Sequence, residues 1–177
     1  MHIVEGFLPP FWAAFWYIVS LPVVFLGLKN LEKIIQQDQS KKLLLAVSGA
    51  FILVLSSLKL PSVTGSSSHP TGTAVSAILF GFSISAVLST IVLIFQALLL
   101  AHGGITTLGA DIFSMGTVGP AVAVFSFNLL KKFKVNFLFR VLVASFLANI
   151  FTYVTTSLQL ALAYPGENIF NSFVLFA

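Results

Sequence analysis

The chain has 177 residues, of which 58% are hydrophobic and only 8% charged, against roughly 25% charged in an average soluble domain. Nine basic and five acidic residues cannot solvate a water-soluble globule of this size, and so apolar a composition excludes disorder. The absence of cysteine excludes disulfide frameworks, thiolate metal sites and cysteine nucleophiles, and the basic residues behind the net charge of +4 are too few for a nucleic-acid surface.

No Asp, Glu, Lys or Arg occurs in residues 6–28, 43–58, 60–110, 112–130 or 141–166. A membrane-spanning helix needs about 20 apolar residues. The pattern therefore predicts an all-α polytopic membrane bundle, one domain over residues 1–177 with at most about five to seven crossings. Eight of the nine basic residues fall in 29–42 and 131–140, and the positive-inside rule places both clusters in the cytoplasm. Segment 8–28 then runs from outside to inside, with Trp12, Trp16 and Tyr17 as an interfacial belt near its outer end. Leu28, Leu31, Ile34 and Ile35 have the spacing of a short interfacial helix.

Segment 43–60 returns outward and 117–132 comes in, so 74–101 must start and finish outside. Its 28 residues are too few for two crossings, which need about 40. The segment is expected to be a hairpin of two short helices, broken near Gly81 to Ser85 and covered by protein; the alternative is one long tilted helix with 131–140 outside. Segment 137–163 goes out again, and the apolar run 169–177 is too short to span. There is no basic n-region or cleavage site of a signal peptide, so Met1 is expected to be retained with its amine outside.

All three histidines fall on the outer side. A free terminal amine followed by His2 is a strong local chelator. The amine and the deprotonated His2 amide close a five-membered ring on a metal, and that amide with imidazole Nδ1 closes a six-membered one. One more imidazole completes four nitrogens in a plane, a set suited to Ni(II) or Cu(II) and to low-spin Co(II), but not to calcium or magnesium. His69, in the Gly/Ser-rich loop 61–73, is either that fourth ligand or a partner of loop carbonyls. His102, before Gly103 and Gly104, either braces the site or ends a helix. Ser66, Ser67 and Ser68 are flexible loop or, beside His69, a serine nucleophile, although no G-x-S-x-G elbow is present. Glu5 and Asp111 are either water-exposed loop acids or carboxylates bonded to the ligands from behind.

The opening Met1-His2-Ile3-Val4-Glu5-Gly6-Phe7-Leu8-Pro9, the loop from Ser66 through His69 to Thr73, and the stretches from Gln96 through His102 to Ala110 and from Phe113 to Gly116 together resemble the CbiM family. These are the substrate-binding membrane subunits (S-components) of cobalt energy-coupling-factor (ECF) transporters. The similarity runs from residue 1 to about 165. The resemblance implies a seven-helix S-component with its N-terminus outside the prokaryotic cell membrane. It implies metal ligation by the Met1 amine, the His2 amide and imidazole, and His69; Glu5, His102 and Asp111 are candidate supporting residues from the reading of the residues above.

It also implies partners: a transmembrane coupling subunit, a cytoplasmic ATPase and a small accessory membrane protein. The transported ion is then Co(II), destined for cobalamin biosynthesis, and there is no resident cofactor or catalytic residue. With no Walker motif in the chain, ATP hydrolysis falls to a partner. The chain departs from the family in three places. It stops before the family's last helix, Phe82 stands where proline is common, and Asp111 stands where asparagine is common. Nickel uptake by the same class, an intramembrane serine hydrolase, and a membrane subunit without cargo are the alternative readings.

Overall fold

The computed structural model describes residues 2–58, 60–61, 66–166 and 168–176. Among them seven helices run in chain order: α1 (Pro10–Gln37), α2 (Lys41–Ser56), α3 (Thr73–Phe80), α4 (Phe82–Leu100), α5 (Leu108–Lys132), α6 (Phe137–Ala163) and α7 (Ile169–Phe176). Of these, α1, α4, α5 and α6 are long and apolar enough to cross a membrane. Their outward faces carry large bare hydrophobics such as Phe11, Leu99 and Leu138, all more than two-thirds exposed. Water would not tolerate that surface, whereas lipid suits it.

The interior is built from small and hydroxylated residues. Ala74, Ala77, Ala123, Ala144 and Ala148 form one buried cluster, and Ser20, Ser85, Ser89, Thr152 and Thr156 are buried elsewhere. Small side chains let helix backbones approach closely where lipid supplies no hydrophobic drive, and an interhelical hydroxyl bond adds on average about 0.6 kcal/mol. Ser20 Oγ, for example, donates to Gly109 O at 2.7 Å.

Residues 73–100 follow the expected hairpin in outline but not in proportion. The break is at Gly81, whose φ of 89° only glycine adopts readily. It leaves α3 at 8 residues and α4 at 19, long enough to cross alone. Ser85 Oγ bonds Ser76 Oγ at 2.6 Å and Thr73 O at 3.1 Å, so the short arm's polar groups are satisfied inside the protein. The sequence Gly81-Phe82 thus breaks the helix without a proline.

Three further expectations are corrected. The residues assigned to a separate interfacial helix continue α1, and Leu31, Ile34 and Ile35 pack on the main core. Trp16 is buried against Phe113, and the Tyr17 hydroxyl donates to Ile105 O. Trp12 is half-buried on a second core cluster, edge-on to the exposed rings of Phe11 and Phe15. Helix α5 begins nine residues before the expected segment. Its π-helical stretch Ile112–Val118 brings Gly119 N–H to Ser114 O, five residues back.

The bundle also carries one small sheet: β1 (His2–Ile3), β2 (Leu60–Pro61) and β3 (Ser66–Ser68), in the order β1-β3-β2 and antiparallel throughout. His2 pairs with Ser67 and Ile3 with Ser66. This pairing folds the loop before His69 onto the N-terminal strand.

Candidate metal centre

The register of β1 on β3 sets His2 one step from the end of the strand that leads into His69. The result is a cluster of His2, His69 and His102, each no more than 5% exposed, with one ring nitrogen from each lying within 4.8 Å of the others. His2 Nδ1 faces His69 Nε2 at 2.6 Å, and the His2 ring lies 4.1 Å, centre to centre, from that of His102. His69 Nδ1 lies 3.2 Å from Pro70 O. A carbonyl only accepts, so that contact puts the His69 proton on Nδ1 and leaves Nε2 bare. Two bare nitrogens 2.6 Å apart repel each other unless a proton or a cation lies between them. On a metal with bonds of about 2.0–2.1 Å, two nitrogens at a right angle stand about 2.8–3.0 Å apart, close to what the metal-free pair already has.

Burial holds the His2 imidazole well below the ordinary value of 6.5, and the positive charges around it, His69 and His102 among them, push the same way. A neutral ring is the form that offers a lone pair.

Each ligand candidate is gripped from outside the cluster. Ile3 N donates to Asp111 Oδ1 at 2.9 Å, and Thr107 Oγ1 donates to Ile3 O at 2.7 Å, so β1 is clamped between the sheet and α5. His69 N donates to the Tyr153 hydroxyl at 2.8 Å, and Thr71 N donates to Asn149 Oδ1 at 3.0 Å. Asn149 and Tyr153 are four residues apart on one face of α6. His102 N bonds back to Gln96 O at 3.1 Å and ends α4 as the sequence allowed, yet its ring also enters the cluster. Gly103 has a φ of 76°, and a Cβ there would stand 3.1 Å from His2 Cδ2 and 3.2 Å from Asp111 Oδ2.

The two acids divide. Asp111 is no loop acid: it is 1% exposed, inside the first turn of α5, and holds the His2 strand. Glu5 is exposed. Both its oxygens accept from Thr106 N at 3.2 Å, and Gly6 N returns a bond to Thr106 Oγ1 at 2.9 Å. The bonds with Thr106 hold the Glu5 pKa below that of an ordinary carboxylate, so Glu5 stays ionised as a brace for the loop after His102. Met1 and the side chains of Ser66, Ser67 and Ser68 lie outside the described residues. The ring nitrogens of His69 face His2 Nδ1 and Pro70 O. An apolar groove of about 330 Å³ between α1, α2 and α4, lined by Leu31, Leu45, Gly49 and Leu88 among others, offers no imidazole or carboxylate to a cation.

Thr107, Asn149 and Tyr153 were not singled out by sequence reasoning. The i, i+4 placing of two polar side chains on one face of an apolar helix was the available signal for the α6 pair.

Residues 2–177 match the family model described as the CbiM cobalt uptake substrate-specific transmembrane region. The chain belongs to the CbiM family. It is 54% identical over 176 residues to the cobalt transport protein CbiM of Carboxydothermus hydrogenoformans, covering 99% of this chain and 72% of that one. It is 53% identical over 179 residues to the cobalt transport protein CbiM of Anoxybacillus flavithermus, covering 100% and 72%. In fold it is similar to the crystal structure of a truncated transition metal transporter, with a TM-score of 0.89 at 23% identity over 99% of this chain and 87% of the other. The chain is thus a membrane protein of a cobalt-uptake family, and its relatives are transport proteins.

Proposed function

We propose that this chain is the substrate-binding subunit of an ATP-driven importer that captures Co(II) outside the cell. The Met1 amine, the His2 amide and Nδ1, and His69 Nε2 are the four ligands. The observation that carries this reading is the buried approach of His2 Nδ1 to His69 Nε2 at 2.6 Å, two nitrogens from residues 67 apart, held by clamps on both backbones. His102 packs on the His2 ring, Asp111 and Thr107 hold β1, and Glu5 braces the loop.

The ion arrives hydrated and exchanges its waters for nitrogens. The amine and amide protons it displaces leave to solvent, so capture competes with acid. Nothing in this chain hydrolyses ATP. A transmembrane coupling subunit, a cytoplasmic ATPase and a small accessory membrane protein supply that work and reset the site toward the cytoplasm. In the family's orientation the terminus faces outward and the basic stretches 29–42 and 131–140 face inward, and the imported cobalt feeds cobalamin synthesis.

The test is acetylation of the Met1 amine. It removes the amine as a donor and leaves the rest of the chain unchanged, so tight Co(II) binding by the purified protein should be lost. Unchanged affinity would show that the terminus is not a ligand. Competition between Co(II) and Ni(II) belongs in the same experiment, because intrinsic affinity at nitrogen sites favours Ni(II).

A further inference from the structure

Behind the histidines, α4 carries an amide in an otherwise apolar stretch. Gln96 is fully buried. Its Nε2 donates to Ser56 Oγ at 2.7 Å, and Ser56 Oγ donates to Ile52 O at 2.5 Å. The serine hydroxyl has one hydrogen, and Ile52 O takes it, so Ser56 can only accept from Gln96. That fixes which end of the amide faces α2: nitrogen toward Ser56, Oε1 away from it.

Oε1 has no hydrogen-bond partner among the described residues, and neither does His2 Nε2. The Gln96 side chain is within hydrogen-bonding reach of the His2 imidazole. One buried acceptor and one buried ring nitrogen are therefore left over on facing side chains, and each is costly to leave unpaired. His2 Nδ1, at the other side of the ring, is the nitrogen turned to His69.

We propose that Gln96 is a positioning residue of the metal site: its carbonyl takes the His2 Nε2 proton and holds the ring with Nδ1 bare toward the cation. Ser56 is the second link, because it orients the amide. The inference rests on the reading of His2 as a ligand through Nδ1. It gives α2 and α4 a part in the site, which otherwise draws on β1, the His69 and His102 loops, α5 and α6. The orienting bond is of the kind that fixes metal-bound imidazoles generally, whose loss costs about 10–100-fold in affinity.

The test compares three forms of the full chain, purified in detergent with a free N-terminus and titrated with Co(II) against a chelator. The first is wild type. Gln96→Met keeps the volume and removes the acceptor, and should weaken binding about 10–100-fold. Gln96→Glu keeps an acceptor oxygen and removes the donor to Ser56, and should bind at least as tightly as wild type. A purely structural role for Gln96 predicts the opposite order, since the Gln96→Glu change would bury an acid and break the link to α2.

A measurement on the wild-type protein stands apart from any folding defect. Loaded with Ni(II), which is diamagnetic in a square plane, and labelled with ¹⁵N-histidine, it should show a His2 Nε2 proton in slow exchange with water. Wild-type affinity in Gln96→Met, equal losses in both variants, or a fast-exchanging Nε2 proton would each overturn the assignment. If wild type bound Co(II) and His69→Ala did not, these outcomes would leave the proposed function standing. Failure of wild type to bind either metal would instead overturn the reading on which this one rests.

Discussion

Replacing Asp111 tests whether the strand clamp, and not the histidines alone, sets affinity. Ile3 is fully buried and Asp111 is 1% exposed, so no water can take over the 2.9 Å bond from Ile3 N to Asp111 Oδ1. In Asp111→Ala the Ile3 N–H is left buried without an acceptor, which costs about 1–3 kcal/mol. The strand escapes that cost by leaving its place, and His2, one residue away, moves with it. If the whole cost falls on the metal-ready arrangement, Co(II) affinity drops about 5–150-fold. Asp111→Asn keeps the acceptor oxygen, at the position where asparagine is common in the family, and should stay within about threefold of wild type. The assay is Co(II) competition with a chelator on purified protein, with thermal unfolding of the metal-free form alongside. Wild-type affinity and stability in Asp111→Ala would refute the clamp.

Three further outcomes are expected. His69→Ala should cost orders of magnitude in Co(II) affinity by deleting a ligand, whereas His102→Ala, which removes a ring packed on His2, should cost about 10–100-fold; the reverse order would mean that His102 is the ligand. Cysteines placed at Ser40 and Asn136, both exposed beside the basic clusters, should resist a membrane-impermeant thiol reagent in intact cells, while Ile105→Cys should react. Labelling at Asn136 from outside would overturn the hairpin assignment of 74–101. Finally, burial lowers the His2 value in the folded protein below 6.5, so between the folded value and 6.5 the unfolded chain binds more protons. Stability of the metal-free protein should therefore rise with pH through that window and level off above it. His2→Gln should flatten the slope, and an unchanged slope would place the titration elsewhere.

The charge map alone determined the membrane class and most of the helix limits. Residues 137–163 were assigned as one segment, and α6 spans them. The division of 74–101 into two helices also followed from it, and the helix does break at Gly81. The chelating potential of Met1-His2 could be read off covalent geometry, since the rings it closes are local.

What only the tertiary structure decided are the relations between distant residues. Asp111 looked like the boundary of a loop because a carboxylate in an apolar run is costly. Its Oδ1 instead accepts from a backbone N–H 108 residues earlier, and α5 begins at Leu108 and includes it. His69 reaches His2 only because β3 pairs with a two-residue strand, too short to show any period in sequence. Tyr153 and Asn149 act across 84 and 78 residues of chain. Hydrophobic periodicity reports which face of a helix meets lipid, but hydrogen-bond partners inside a membrane bundle are chosen by packing, and that information appears only when the helices are side by side.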